Sequence, residues 1–217
     1  MLHLKSIAIF IASIWGLLLL YNSFFPPIST LMMARVLTGR QVERQYVPLK
    51  RISPNLIRAV IAGEDGRFCE HRGVDWAAMR NVVAEAVDED GIRGGGSTIT
   101  MQTTKNLFLW MRFSYLRKPI EMPLAMMLDA LWGKRRVMER YLNVAEFGRG
   151  VFGAEAAARH YFRASANSLS PRQASLLAAM LPSPIRRNAA RPTPFVSRYA
   201  SSIERRMNQI DASCALQ

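Results

Sequence analysis

The chain has 217 residues, half of them hydrophobic, and a formal net charge of +13. The apolar share excludes a disordered tail and leaves, beyond an apolar N-terminal stretch, one domain with a core of its own. Only five of the 29 basic residues are lysines, so the surplus is one of arginine and calls for an anionic partner: nucleic acid, an anionic bilayer surface or a pyrophosphate-bearing substrate.

From Ile7 to Phe25 no residue is charged, a run of 19 residues that Pro26 and Pro27 end. About 20 apolar residues cross a bilayer core as a helix. The exit Tyr-Asn-Ser-Phe-Phe-Pro-Pro fits a small-x-small cleavage site poorly, so residues 1–25 read as an uncleaved membrane anchor rather than a signal peptide. Lys5 precedes the segment and Arg35, Arg40 and Arg44 follow it, a bias that gives no support to an outward-facing domain. Residues 26–45 read as a linker and 46–217 as the domain.

Within the domain, helical periodicity dominates and no alternating strand stands out. Ser53 before Pro54 is an N-cap with proline in the first turn, and Leu56, Ile57, Val60 and Ile61 form one apolar face of a helix ending at Glu64 and Asp65. A second helix is expected over Trp76–Val87, then a glycine loop at Gly91, Gly94, Gly95 and Gly96. Further helices are expected over Pro119–Trp132 and Arg135–Asn143, and from Ser170-Pro171 until Pro182 and Pro184 stop it. The fold class is mainly α. The two cysteines, Cys69 and Cys214, and the three histidines have no metal-ligand spacing, and one cysteine pair makes no disulfide framework.

Three stretches carry chemistry. Glu64 to Gly73 sets carboxylates at the end of an apolar helix, where an apolar wall raises proton affinity as a general base for a sugar hydroxyl requires. Gly94 to Asn106 follows close-approach glycines with the donors Ser97, Gln102, Lys105 and Asn106; its lysine comes too late for a nucleotide phosphate loop. Arg117, Lys118 and Glu121 open a helix, with Glu121 one turn after Arg117, an arrangement able to clamp a pyrophosphate.

In this order the three resemble the peptidoglycan glycosyltransferase family of bifunctional penicillin-binding proteins and monofunctional transglycosylases. Glu64, Asp65, Phe68, His71 and Gly73 match its first motif; Gly96, Ser97, Thr98, Ile99, Thr100, Gln102, Lys105 and Asn106 its second; Arg117, Lys118 and Glu121 its third. Lys134, Glu139, Tyr141, Leu142 and Asn143 match a fourth, and Gly148–Phe162 a fifth. Met101 departs from a frequent glutamine and Asp129 from a common glutamate. The length agrees with the monofunctional branch, and no serine stands three residues before any lysine.

The resemblance implies a lysozyme-like domain behind one transmembrane helix, on the periplasmic face of the bacterial inner membrane. It implies inverting transfer between lipid-linked disaccharides (lipid II and the growing lipid-linked chain), with Glu64 as base and Glu121 as second acid. Lys105, Arg117 and Lys118 would balance the pyrophosphate, while Asp65, Phe68, His71, Ser97, Gln102 and Asn106 would shape the pocket. No cofactor is required, stimulation by a divalent metal being left open; the partners are the lipid substrate, the membrane and cell-wall synthesis or division proteins, with no nucleic acid. A glycan-cleaving enzyme of lysozyme or lytic type is the alternative.

Overall fold

The computed structural model describes residues 13, 16, 17, 19–81, 96–109 and 114–216. Nine of the 19 residues of the 7–25 stretch read as an anchor, the second half of the second expected helix (of which 76–81 is helical) and Gly91, Gly94 and Gly95 lie outside those residues. The described chain is mainly helical: α1 (Thr30–Leu37), β1 (Glu43–Arg44), α2 (Pro54–Glu64), α3 (Ile99–Phe108), α4 (Ser114–Val144), β2 (Glu146–Gly148), β3 (Val151–Phe152), α5 (Ala154–Phe162), α6 (Pro171–Met180), α7 (Pro194–Arg206) and α8 (Ser213–Leu216). No helix among the described residues is long and apolar enough to cross a membrane.

α2 is the central helix. Ser53 caps it by accepting from the Asn55 amide, Pro54 opens it, and Leu56, Ile57, Ala59, Val60, Ile61 and Ala62 are all buried. A helix apolar on so many sides needs neighbours on more than one face; α2 has α6 and α7, which also pack on each other. The neighbours come close: a Cβ on Gly63 would meet Ile203 Cδ1 at 3.2 Å, so glycine there lets α7 lie directly over the end of α2.

α3 and α4 form the second layer. The second stretch is helical from Ile99, with Thr98 as its cap, accepting from the Met101 amide. Its threonines are weak helix formers in water. Here they are buried, and Thr103 and Thr104 donate back to the carbonyls of Ile99 and Thr100. α4 begins at Ser114, five residues before its expected start, and breaks at Gly133 (φ 69°, ψ 168°), where the sequence separates two helices.

A three-stranded sheet ordered β1-β3-β2 lies beside α5, β1 parallel and β2 antiparallel to β3. Strands of two or three residues leave no periodicity to read.

Within the stretch read as a linker, α1 is packed on the domain: Met32 is buried beside Leu107, Phe108 and Leu128, and Thr30 donates to the carbonyl of Leu109. Residues 19–24 are helical, and the domain holds the end of that segment. Arg140 donates to the carbonyls of Phe25 (2.7 Å) and Ser23 (3.0 Å), Arg136 to Ser23 and Arg44 to Pro27, while the Trp132 indole donates to the Ser23 hydroxyl. A helix end leaves carbonyls unpaired and carries partial negative charge, which arginines answer on both counts.

Cys69 and Cys214 are joined by a disulfide across 145 residues of chain, tying the loop after Glu64 to α8. Closing so long a loop restricts the unfolded chain strongly. Cys69→Ser is expected to lower unfolding stability by about 2–4 kcal/mol. Urea titrations with and without reductant check this: reductant should shift the parent midpoint and leave that of the variant in place.

Candidate active site

α2 delivers Glu64 at its C-terminal end into an open cleft of about 540 Å³ whose lining also includes Gly63, Ser97, Gln102 and Lys105. The first and second stretches meet through Asp65, which is nine-tenths buried: its carboxylate accepts from the Ile99 amide at 2.9 Å and from His71 Nε2 at 2.9 Å. Thr98 Oγ1 donates to the carbonyl of Gly73. Gly73 has φ +84°, and a Cβ there would fall 2.6 Å from the Ala125 carbonyl oxygen, so this loop is pressed against α4 and any side chain would force them apart.

Asp65 and His71 thus join the first stretch to α3, and Phe68 belongs to the core. Phe68 is fully buried, with Lys134 Nζ 4.6 Å from its ring centroid; Lys134 also pairs with Asp129 at 2.8 Å, whose carboxylate accepts from Thr100.

Glu64 is held by a short relay. Gln102 Nε2 donates to Glu64 Oε2 at 2.8 Å, and the buried Tyr141 hydroxyl donates to Gln102 Oε1 at 3.0 Å. An ionised carboxylate only accepts, so the amide must turn its NH₂ toward Glu64 and its oxygen toward the phenol. Burial pushes the Glu64 carboxyl above the ordinary carboxylate value; Gln102, Lys105 and Arg187 pull it down and Asp65 adds to the rise. A carboxylate with raised proton affinity, solvated by one amide and open to a cleft, is suited to take a proton from a hydroxyl.

The cationic side is built from α3 and α4. Lys105 is pushed below the ordinary lysine value by burial, raised by Glu121, lowered by Arg117 and raised by Glu64, so all four charges share one field. Arg117 and Glu121 are buried one helical turn apart, Arg117 Nε donating to Glu121 Oε2 at 2.8 Å. Lys118 is exposed. Adjacent helical residues do not share a face, so Arg117 turned inward leaves Lys118 outward. Asn106 lines a smaller cavity with Gln102, Lys105 and Tyr141.

The remaining lining of the Glu64 cleft comes from Leu181, Pro182, Arg187, Phe195 and Tyr199. None of Arg187, Phe195 and Tyr199 belongs to a stretch singled out in the sequence; they fall after the last motif, and a single aromatic or arginine gives no signal by itself. Tyr141 was legible only as part of a motif, without a role.

Residues 30–210 match the family described as Transglycosylase. The chain is 53% identical over 183 residues to the biosynthetic peptidoglycan transglycosylase of Agrobacterium fabrum, covering 84% of this chain and 80% of the relative. It is 53% identical over 191 residues to the protein of that name from Rhizobium meliloti, covering 88% and 80%. With the one from Nitrobacter hamburgensis it shares 45% over 205 residues, covering 91% and 90%.

Proposed function

The chain belongs to the transglycosylase family and is a peptidoglycan glycosyltransferase that polymerises glycan chains; from that premise we propose that Glu64 is the base of an inverting transfer between two lipid-pyrophosphate-linked glycans. The observation that carries the reading is that Glu64 and Lys105 line one cleft while the paired Arg117 and Glu121 act on the same lysine.

The acceptor is a lipid-linked disaccharide (lipid II) and the donor a growing chain on a lipid pyrophosphate. The acceptor's 4-hydroxyl oxygen forms a bond to the donor's anomeric carbon while its proton passes to Glu64. The bond from that carbon to the pyrophosphate oxygen breaks, and the pyrophosphate leaves with the electron pair. Its growing charge is met by Lys105 and Arg117, fixed in place and partly shielded from water, where such charges act more strongly than in bulk solvent. Glu121 holds the Arg117 guanidinium in one orientation. Every group this scheme calls on is a side chain, so it requires no cofactor.

We place the domain on the outer face of the inner membrane, anchored by the 7–25 segment. Three observations support this placement. Leu17, Leu20, Phe24, Val36 and Leu37, all among the first 37 residues, are exposed. An almost wholly apolar groove lies between Gly16 and Leu19 and the Phe108, Leu124, Met127 and Leu128 side chains. The Cys69–Cys214 bridge suits an oxidising compartment.

The test is incubation of the purified full chain with lipid-linked disaccharide and, separately, with finished glycan. Lengthening of the first without shortening of the second is expected. Shortening of finished glycan with no polymer from the precursor would make the protein a cleaving enzyme.

A further inference from the structure

The Tyr141 hydroxyl takes no part in the transfer described above, yet only one side chain separates it from the proposed base. Gln102 lies between them, its Nε2 donating to Glu64 Oε2 at 2.8 Å and its Oε1 accepting from the phenol at 3.0 Å. A side-chain amide is nearly symmetric in shape but not in chemistry, since its oxygen only accepts and its nitrogen only donates. Turned round, the same amide would set its oxygen against Glu64. That oxygen repels an ionised carboxylate and accepts from a protonated one, so the direction of the amide bears on which form of Glu64 is favoured.

The tyrosine decides that direction. Tyr141 is fully buried in the main core, and burial, with the charges of Glu64 and Asp65, holds its phenol proton well above the ordinary tyrosine value. The hydroxyl is therefore a donor over the whole working range. Among the described residues Gln102 Oε1 is its one acceptor. A turned amide would present NH₂ to the phenol and leave a buried O–H without an acceptor, which is costly.

The phenol is also fixed in place. Glu139 accepts from the Leu49 amide at 2.9 Å and from the Tyr46 hydroxyl at 3.1 Å. Asn143 accepts from the Val47 amide at 3.0 Å and donates to the Val47 carbonyl at 2.9 Å. Arg140 holds the carbonyls of Phe25 and Ser23. This turn of α4 is thus tied to residues 23–25 and 46–49, and Tyr141 with it.

We propose that Tyr141 is a positioning residue for the base: by donating to Gln102 Oε1 it holds the amide with its NH₂ toward Glu64 and so keeps the carboxylate in its proton-accepting form. The inference rests on the reading of Glu64 as base. Other groups act on Glu64 as well, and Tyr141→Phe leaves all of them in place. They are Asp65, with His71 behind it, in the first loop; Lys105 of α3, with Arg117 and Glu121 beyond it; Arg187 of the cleft lining; and Tyr199 of α7.

The experiment labels the full chain with carbon-13 at the glutamate side-chain carboxyls and identifies Glu64 as the signal missing from Glu64→Gln. Its titration midpoint is then read in the parent, in Tyr141→Phe, in Gln102→Met and in the double variant, beside the pH profile of kcat/KM. Phenylalanine keeps the ring and loses only the oxygen; methionine keeps the length of Gln102 without its polar end. Tyr141→Phe is expected to raise the Glu64 midpoint by about one pH unit, the equivalent of one hydrogen bond of ordinary net strength. The acid limb of kcat/KM should move up by the same amount. Gln102→Met should raise the midpoint too, and adding Tyr141→Phe to it should change nothing further, because the two side chains act through one contact.

An unmoved midpoint in Tyr141→Phe would overturn the proposal, even with a loss of rate or stability, since Tyr141 would then be a packing residue. So would a full further shift in the double variant, because Tyr141 would then act on Glu64 without Gln102. An acid limb that survives in Glu64→Gln would sink Glu64 as base, and the positioning role with it. A limb that disappears in Glu64→Gln, beside a carboxyl that titrates alike in the parent and Tyr141→Phe, would sink the role of Tyr141 alone.

Discussion

Glu64→Gln is expected to lower polymerisation by about 10² to 10⁴, the usual loss when a positioned general base is removed. Glutamine has nearly the shape of glutamate and can still meet the Gln102 amide, so the cleft keeps its form while losing the group that accepts the proton. The fold should not suffer. Burial holds the Glu64 carboxyl above the ordinary value, so ionisation is disfavoured in the folded state. Stability is therefore fullest below the unfolded carboxylate value and declines as pH rises through the raised one. A neutral glutamine escapes that decline, and the variant's thermal midpoint at neutral pH should equal or exceed that of the parent. Chain elongation read on labelled lipid-linked disaccharide, together with a melting curve, checks both halves. Near-parental elongation would remove Glu64 as the base.

Lys105→Met carries the second large effect, a loss of about 10² to 10³ in kcat, comparable to removing one preorganised donor from a site of developing negative charge. Competing influences act on this lysine. Burial and Arg117 push its proton affinity down, and Glu121 and Glu64 push it up. In the reaction, a pyrophosphate gains charge where those carboxylates already favour the protonated ammonium, so the lysine contributes most as the bond breaks. Loss is therefore expected in kcat more than in KM. Steady-state kinetics on the variant tests this; an unchanged kcat with a raised KM would make Lys105 a ground-state binding group only.

The sequence made the helical frame legible where chain punctuation is strong. Ser53-Pro54 opens α2 where expected, and the separation between Trp132 and Arg135 coincides with the backbone break at Gly133. The apolar run before Glu64 placed a carboxylate at a helix end. Other features were hidden for physical reasons. The second motif is helical because burial of Thr100, Thr103 and Thr104 overrides weak local propensity, which no local rule anticipates. The sheet pairs residues 43–44 with 151–152, and so short a register is fixed by the surrounding packing. The Cys69–Cys214 pairing and the packing of α7 over Gly63 arise from long-range docking of the C-terminal helices, which leaves no pattern at either partner.

The site residues divide in the same way. Glu64, Gln102, Lys105, Arg117 and Glu121 were found through motif spacing, and the structure adds which of them touch. Asp65, Phe68 and His71 carried the same sequence signal, yet they join the first loop to α3 and the core. Motif membership alone does not say which of these groups meets substrate, because fixed spacing serves a contact and a support alike.

The pH dependence of kcat/KM for the parent chain and Glu64→Gln tests the central claim most directly. A base must be deprotonated to act, and Glu64 has raised proton affinity. Activity of the parent should therefore fall on the acid side through an apparent pKa above the ordinary carboxylate range, and that limb should be missing from the residual activity of the variant. An acid limb that survives unchanged in Glu64→Gln would contradict the account and assign the proton transfer to another group.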